Sequence, residues 1–391
     1  MRSCGIVVEY NPFHNGHLYH IERARQISQA EVVIAVMSGN FLQRGEPAIF
    51  DKWVRAKEAL THGADIVIEL PVEWSVQSAD YFAKGAVQLL HAMRCDAICF
   101  GTDSHQSFDY ETFGSFVKEN QQEVEKTFRS LQDSSLSYPQ KMTEVFQKIY
   151  PDISLDCTSP NHILGLSYAK ENALYESPMK IYPILRNSAD YHDAVFSSEK
   201  IASATAIRKA VSENRETSNY VPEQTQTDLK TQHASSWEDY WSYLQYKILS
   251  TEVEELRQIY QMNEGLEYRI KRAAIDSESF EQFIQLVKSK RYTQTRLQRL
   301  ACYVLLNIKK EEIKRQWSNP YLHLLGFTNK GQLYLKEKKK SIKVPLISKI
   351  GKKEEQYTLL VRGDRIYQMG IKKEEQNFGR IPIRIAGESN E

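Results

Sequence analysis

The stretch VVEYNPFHNGHLYH, residues 7–20, decides how the rest of the chain is read. The residues before it, Cys4 to Val8, are apolar and β-branched, and those after it, Leu18 to Ser28, return apolar side chains at helical spacing. A strand therefore passes into a helix through Asn11 to Gly16. In an open parallel sheet this junction lies at the carboxyl ends of the strands, where ligands bind, and the new helix turns unpaired N–H groups and its positive end towards them. Anions are the natural guests there. His14 and His17 stand three apart, so both imidazoles face one small volume across the first turn. Gly16 lets a ligand approach the backbone. Two imidazoles, a bare glycine and a helix N-terminus suit a site that stabilises negative charge on a phosphate during transfer. A surface pair of histidines is the plainer alternative, and the strand-to-helix context argues against it.

Outward from this stretch, EVVIAVM (31–37), ADIVIEL (64–70), CDAICFG (95–101) and KIYPILR (180–186) read as further strands, separated mostly by helical patterns such as Lys52 to His62 and Phe82 to Met93. Strands alternating with helices predict an α/β fold with a doubly wound parallel sheet, assigned to residues 1–211. Residues 212–236, SENRETSNYVPEQTQTDLKTQHASS, have almost no aliphatic side chains and read as a linker or mobile loop. Residues 237–319 carry helical periodicity with few glycines or prolines, as in EDYWSYLQYKIL and RLQRLACYVLLNI, and read as a helical domain. A smaller, basic C-terminal module is expected over 320–391, and no internal repeat is found.

Formal net charge is +1, so no global field points to nucleic acid. The cysteines Cys4, Cys95, Cys99, Cys157 and Cys302 are too scattered for a disulfide framework and fit a reducing, cytoplasmic setting. His91, Cys95 and Cys99 have metal-like spacing, but Cys95 to Gly101 reads as a buried strand, which favours core cysteines and no protein-built metal site. No apolar stretch approaches membrane-spanning length and no export signal is evident, so a soluble protein is expected.

The strand ends supply the remaining candidates. MSGNFLQRGEPAIFDKWVRAKEAL (37–60) follows the second strand onto the same rim with Gln43 and Arg44, which suit a polyphosphate or a carboxylate because guanidinium presents a bidentate fork. Lys52 and Arg55, on the next helix, face either that site or solvent. Gly101 permits close approach where CFGTDS (99–104) leaves the fourth strand. In SPNHILGLSY (159–168), Ser159 and Pro160 mark a helix start, and Asn161 either bonds a nucleobase edge or is an ordinary residue of the first turn. Arg186 and Asn187 follow the fifth strand. In IASATAIRK (201–209), Ser203 and Thr205 open a helix and Arg208 lies one turn on, so hydroxyls, N–H groups and a guanidinium converge on phosphates.

Positive charge gathers in the distal half. Lys330 to Lys353 hold nine lysines against one glutamate, among them Lys338, Lys339 and Lys340. KSKRYTQTRLQR (288–299) adds Lys288, Lys290, Arg291, Arg296 and Arg299 around Tyr292. Each run alone is compatible with a solvated face. Two of them outside the catalytic segment point to RNA, because phosphate contacts are local.

NPFHNGH resembles the His-x-Gly-His signature of nucleotidyltransferases, a superfamily that includes class I aminoacyl-tRNA synthetases, and ASATAIRK (202–209) resembles the Ile-Ser-x-Thr-x-Ile-Arg element that accompanies it in adenylyltransferases. The pair implies a Rossmann-like sheet of that type and ATP as substrate, with Mg²⁺ held mainly by the ATP phosphates. Over nearly the whole chain, VVEYNPFHNGH, MSGNFLQRGEPAI, ASATAIRK, NEGLEYRIKRAA, KSKRYTQTRLQRL and LLGFTNKGQLYL, in this order, resemble the bacterial tRNA(Met) cytidine acetate ligase family. The resemblance implies a ligase that forms acetyl-adenylate from acetate and ATP. It then transfers the acetyl group to N4 of the wobble cytidine of elongator tRNA(Met), giving N4-acetylcytidine without acetyl-CoA.

The family's ATP contacts carry onto Val7, Val8, Glu9, Tyr10, Asn11, Pro12, Phe13, His14, Asn15, Gly16, His17, Leu18, Tyr19 and His20, and onto Gly101, Asn161 and Arg186 with adjoining Asn187. Ser203, Thr205 and Arg208 join them, with His14 and His17 in the catalytic role. Lys288, Lys290, Arg291, Arg296, Lys338, Lys339 and Lys340 are the candidate tRNA contacts. An adenylyltransferase acting on a small phosphorylated metabolite is the alternative; it leaves the basic half without a task.

Overall fold

The computed structural model describes residues 1–103, 108–131, 138–150, 159–185, 202–263, 265–289, 291–351, 357–372 and 374–386. Its centre is a mixed, mostly parallel sheet of β1 (Ser3–Val8), β2 (Val32–Ser38), β3 (Ile66–Leu70), β4 (Ala97–Thr102), β5 (Lys180–Leu185), β6 (Leu322–Thr328), β7 (Leu346–Ile347) and β8 (Ile383–Ile385). The order runs β5-β4-β1-β2-β3-β6, with β7 and β8 paired to β6. β1 to β5 are parallel, and β6 joins β3 antiparallel, with Glu69 opposite His323.

Both faces of the sheet are buried, which is why its strands read as unbroken apolar runs. Val32, Ile34 and Val36 face one core with Ile66, Ile68 and Phe100, while Val33, Ala35 and Met37 face a second with Cys4, Ile6 and Cys99. Cys95 and Cys99 are core side chains, and His91 bonds Asn172 Oδ1 at 2.9 Å while stacking on Tyr175.

Two segments depart from the sequence reading. Within the expected linker, Glu223–Thr231 is a helix, and Asp228 and Thr225 on it are buried against the rest of the chain. Val221 packs on Ala202, Ala206 and Ile207. Few aliphatic residues sufficed because the segment covers an existing surface rather than forming a core of its own. The expected C-terminal module instead returns to the central sheet as β6, β7 and β8, and its helix Thr358–Ile371 places Leu359, Tyr367 and Ile371 in the core of the helical region. The antiparallel strand β6 finds its partner β3 far away in sequence, and local periodicity carries no sign of that.

Candidate active site

β1 delivers the chain to the sheet rim, where it turns through Tyr10, whose φ of 52° is left-handed, to His14. His14 is the N-cap of the helix Asn15–Ser28, a position usually held by Ser, Thr, Asp or Asn. Its Nδ1 accepts from the N–H of Gly16 at 3.1 Å, and Nδ1 of His17 accepts from the N–H of His14 at 3.3 Å. The result is a capping box made of two imidazoles. A ring nitrogen that accepts carries no proton, so each neutral ring keeps its hydrogen on Nε2. The rings stack with centroids 3.6 Å apart, 23° from parallel.

The helix N–H groups themselves are engaged, contrary to the sequence reading. Asn15 donates to Tyr220 O at 3.0 Å, Gly16 to the His14 ring, and His17 to His14 O at 2.8 Å. Donation to an anion thus falls to the imidazoles, and the helix adds its dipole. Tyr220 belongs to the stretch read as a linker, so that stretch helps to build the site.

The second wall is the helix Ala204–Ser212. Ser203 caps it, its Oγ accepting from Ala206 N–H at 3.1 Å. Arg208 donates to Asn11 O at 2.8 Å and faces Glu46 at 3.6 Å. Asn11 accepts from Ile49 N–H at 2.7 Å and donates to Glu46 at 3.3 Å. The two motifs are therefore pinned to each other through Asn11 and Glu46. On a third side, Asp103 Oδ2 accepts from Ser159 Oγ and from the Asn161 amide, both at 2.7 Å. Behind the rim, Glu9 Oε1 accepts from Gln43 N–H at 2.8 Å and Ser38 Oγ at 3.1 Å; burial pushes its carboxyl up.

These walls enclose a cavity of about 1000 Å³. Val7, Val8, Glu9, Tyr10, Asn11, His14, Gly16, His17, Tyr19, His20, Gln43, Arg44, Gly101, Asn161, Ser203, Thr205 and Arg208 line it. Pro12, Phe13, Asn15 and Leu18 do not: Pro12 is buried, Phe13 and Leu18 pack into the core, and Asn15 holds Asn219 O at 2.9 Å. Arg186, Asn187 and Lys290 lie outside the described residues. Glu46 lies within MSGNFLQRGEPAI without having been singled out there, and no local motif marks Lys170; both line the cavity.

Lys52 and Arg55 meet neither expectation held for them. Both are fully buried, Lys52 between Glu69 at 2.8 Å and Asp364 at 2.6 Å. Arg55 donates to the carbonyls of Glu9 at 2.6 Å, Ser38 at 3.0 Å and Gly39, bracing the ends of β1 and β2 beneath the site.

The two basic runs part company. Arg291, Arg296 and Arg299 line the cavity, with Arg291 and Arg296 5.4 and 4.8 Å from the Tyr292 ring centre. Lys288 does not line it; its carbonyl accepts from Arg269 at 2.7 Å. Lys338, Lys339 and Lys340 lie at the opposite, amino end of the strands. There Glu337 binds the Met1 ammonium at 3.0 Å, and Tyr334 bonds Met93 and Arg94 carbonyls, each at 2.9 Å.

A sheet of this topology, with paired imidazoles at the first strand-to-helix turn and a capped phosphate-type helix beside them, defines a nucleotidyltransferase. Residues 1–380 match the family model for HIGH nucleotidyl transferases. A tRNA(Met) cytidine acetate ligase of Ligilactobacillus salivarius is 42% identical over 392 residues, covering 98% of this chain and 100% of that protein. One of Bacillus subtilis is 40% identical, covering 98% and 97%. The crystal structure of apo Thermotoga maritima TmcAL superposes with a TM-score of 0.90 at 30% identity, over 99% of this chain and 100% of that one; its form with alpha-thio ATP gives 0.87. The chain belongs to the tRNA(Met) cytidine acetate ligase family and is an enzyme of this type. Among the described residues no helix is long and apolar enough to cross a membrane.

Proposed function

We propose that this enzyme activates acetate with ATP and passes the acetyl group to N4 of the wobble cytidine of elongator tRNA(Met), without acetyl-CoA. A carboxylate oxygen of acetate attacks the α-phosphorus, the bond to the bridging oxygen of the β-phosphate breaks, and pyrophosphate leaves. Cytidine N4 then attacks the acetyl carbonyl, AMP departs with the oxygen that joined them, and N4 loses a proton to give N4-acetylcytidine. The observation that carries the reading is the imidazole pair with both Nδ1 atoms committed to backbone N–H groups. Two Nε2–H donors are then preoriented for charge developing on the α-phosphoryl oxygens.

Arg208, Ser203 and Thr205 would bind the phosphates beside them, and Asn161 the base. Mg²⁺ would be held mainly by the ATP phosphates, where it would offset charge on the β- and γ-phosphates. ATP–pyrophosphate exchange tests the reading. Acetate-dependent exchange without tRNA is expected, and added tRNA(Met) should convert the adenylate to AMP and acetylated cytidine. Exchange that ignores acetate but responds to a phosphorylated metabolite would establish the small-molecule adenylyltransferase instead.

A further inference from the structure

Arg299 sits in the segment read from sequence as part of an RNA-binding patch, yet the fold gives it different surroundings from its neighbours. Its helix, Gln294–Leu305, presses on the loop after β2. Gly45 in that loop has φ of 76°, and a Cβ there would stand 2.2 Å from the Arg299 backbone nitrogen. Only glycine permits this contact. Trp237 locks it by donating to Gly45 O at 2.9 Å. The Arg299 guanidinium is thereby carried to the cavity wall, where one terminal nitrogen reaches Gln43 O at 3.4 Å. Gln43 in turn donates to Glu9 at the end of β1, so a short chain of contacts links Arg299 to the turn that bears His14.

The guanidinium is only partly satisfied. Its Nε is buried and makes no hydrogen bond among the described residues. Burial disfavours its cation most, Tyr303 favours it and the nearby charge of Arg296 opposes it again; among the described residues Arg299 forms no ion pair with a carboxylate. A buried guanidinium without a counter-charge is costly, and a compact anion in the cavity removes that cost. Exposure also divides the segment. Arg291 is exposed, as a nucleic acid backbone requires, whereas Arg296 and Arg299 are both half-exposed and the Arg299 Nε is buried in the cavity wall.

We propose that Arg299 is a ligand of the ATP polyphosphate and holds the β- and γ-phosphates that leave as pyrophosphate. The inference rests on the reading of this cavity as an ATP site, and its test separates the two. Equilibrium binding of ATP and of AMP is measured for the wild type, Arg299→Met and Arg299→Lys, with tRNA binding and thermal unfolding in parallel. In the wild type, ATP should bind and acetate should drive pyrophosphate exchange; if ATP does not bind, the reading of the cavity fails before Arg299 is at issue.

Given wild-type binding, Arg299→Met should weaken ATP tenfold or more while AMP, which lacks the β- and γ-phosphates, changes less than twofold. In exchange, its KM for pyrophosphate should rise and that for acetate should stay. Arg299→Lys, which keeps the charge but not the fork, should fall between. Equal weakening of ATP and AMP would make Arg299 structural, and loss of tRNA affinity alone would return it to the RNA surface; either overturns the proposal, as does no effect. Should Arg299→Met fail to fold, the ATP-to-AMP ratio in Arg299→Lys decides on the same criterion.

Discussion

Arg44 and Lys52 lie in one stretch of sequence, and their fates are opposite. Arg44 lines the cavity with Arg208, Arg296 and Arg299. Lys52 is sealed between Glu69 and Asp364, with His323 bonded to the same Glu69 and Asn40 donating to Asp364 at 2.8 Å. Asp364 comes from the C-terminal helix and His323 from β6, so this cluster ties the distal chain to the first strands. Burial alone would push the Glu69 carboxyl up, but Lys52 and His323 outweigh it and hold it at about 2. The same residue types thus form a sealed seam in one place and line a cavity in the other. What separates them is whether the side chain is sealed among protein groups or lines the cavity.

Removing the seam lysine is the severest way to break this contrast. Lys52→Met leaves two buried carboxylates facing each other, and loss of one partner of a buried ion pair costs roughly 3–5 kcal/mol. The expected result is a large fall in unfolding temperature, with ATP affinity retained by whatever remains folded. An unfolding temperature close to wild type would show that the carboxyls take up protons at little cost and that the seam is not holding the regions together.

The site histidines should show the converse pattern, activity lost and stability kept. Because His14 also caps its helix, Asn is the sharper replacement: it keeps a capping acceptor and removes the Nε2–H. His14→Asn and His17→Ala should each lower the rate of acetate-dependent exchange by roughly 10²–10³-fold, the range for losing one preoriented donor. Thermal unfolding should stay near wild type. Near-normal exchange in both variants would remove the imidazoles from the chemistry.

A third buried acid probes the helix Glu223–Thr231. Burial, and after it the charge of Asp228 on that helix, push the Glu58 carboxyl up to about 8. Its folded-state value lies above the ordinary 4.5, so between these pH values the folded state binds more protons than the unfolded one. Stability therefore falls as pH rises from about 4.5 to about 8 and levels off above. Glu58→Gln should raise the unfolding temperature at pH 8.5, leave it unchanged near pH 4.5 and flatten the slope between. Parallel pH profiles for the two proteins would mean that Glu58 ionises without penalty.

The parallel strands and the His14/His17 turn were legible because their signals are local: buried apolar runs, helical spacing, and a polar motif where a strand stops. Seam and site were not separable on the same grounds. Nothing around Lys52 announces Asp364, which lies more than 300 residues away. Arg299 looked like a member of a surface patch because its depth is set by a tertiary contact with Gly45, not by its neighbours in sequence. The cap made by His14 was hidden for a different reason: rules for N-caps name oxygen side chains, and here an imidazole nitrogen takes that place. In each case the pattern identified chemistry correctly only where the partners were near in the chain.

The smallest expected effect concerns the lysines furthest from the cavity. Lys338 is half-buried, paired with Glu337 at 3.1 Å and 5.6 Å from the Tyr334 ring centre, so it has little freedom to meet a phosphate. Lys339 and Lys340 are exposed. Replacing all three by Ala should therefore lower the salt dependence of tRNA binding by no more than two contacts' worth, each roughly 0.7 to 0.9 in slope. Acetate-dependent pyrophosphate exchange should be unaffected, because the cavity proposed for it lies at the other end of the strands. Titrations of tRNA at several salt concentrations, run beside an Arg291→Ala, Arg296→Ala double variant, order the two basic runs. A larger loss of slope in the arginine variant would make the cavity mouth the main RNA contact. A larger loss in the lysine variant would require the tRNA to wrap from the sheet rim to its base, and would break the division between ligand-binding and supporting charge at its weakest point.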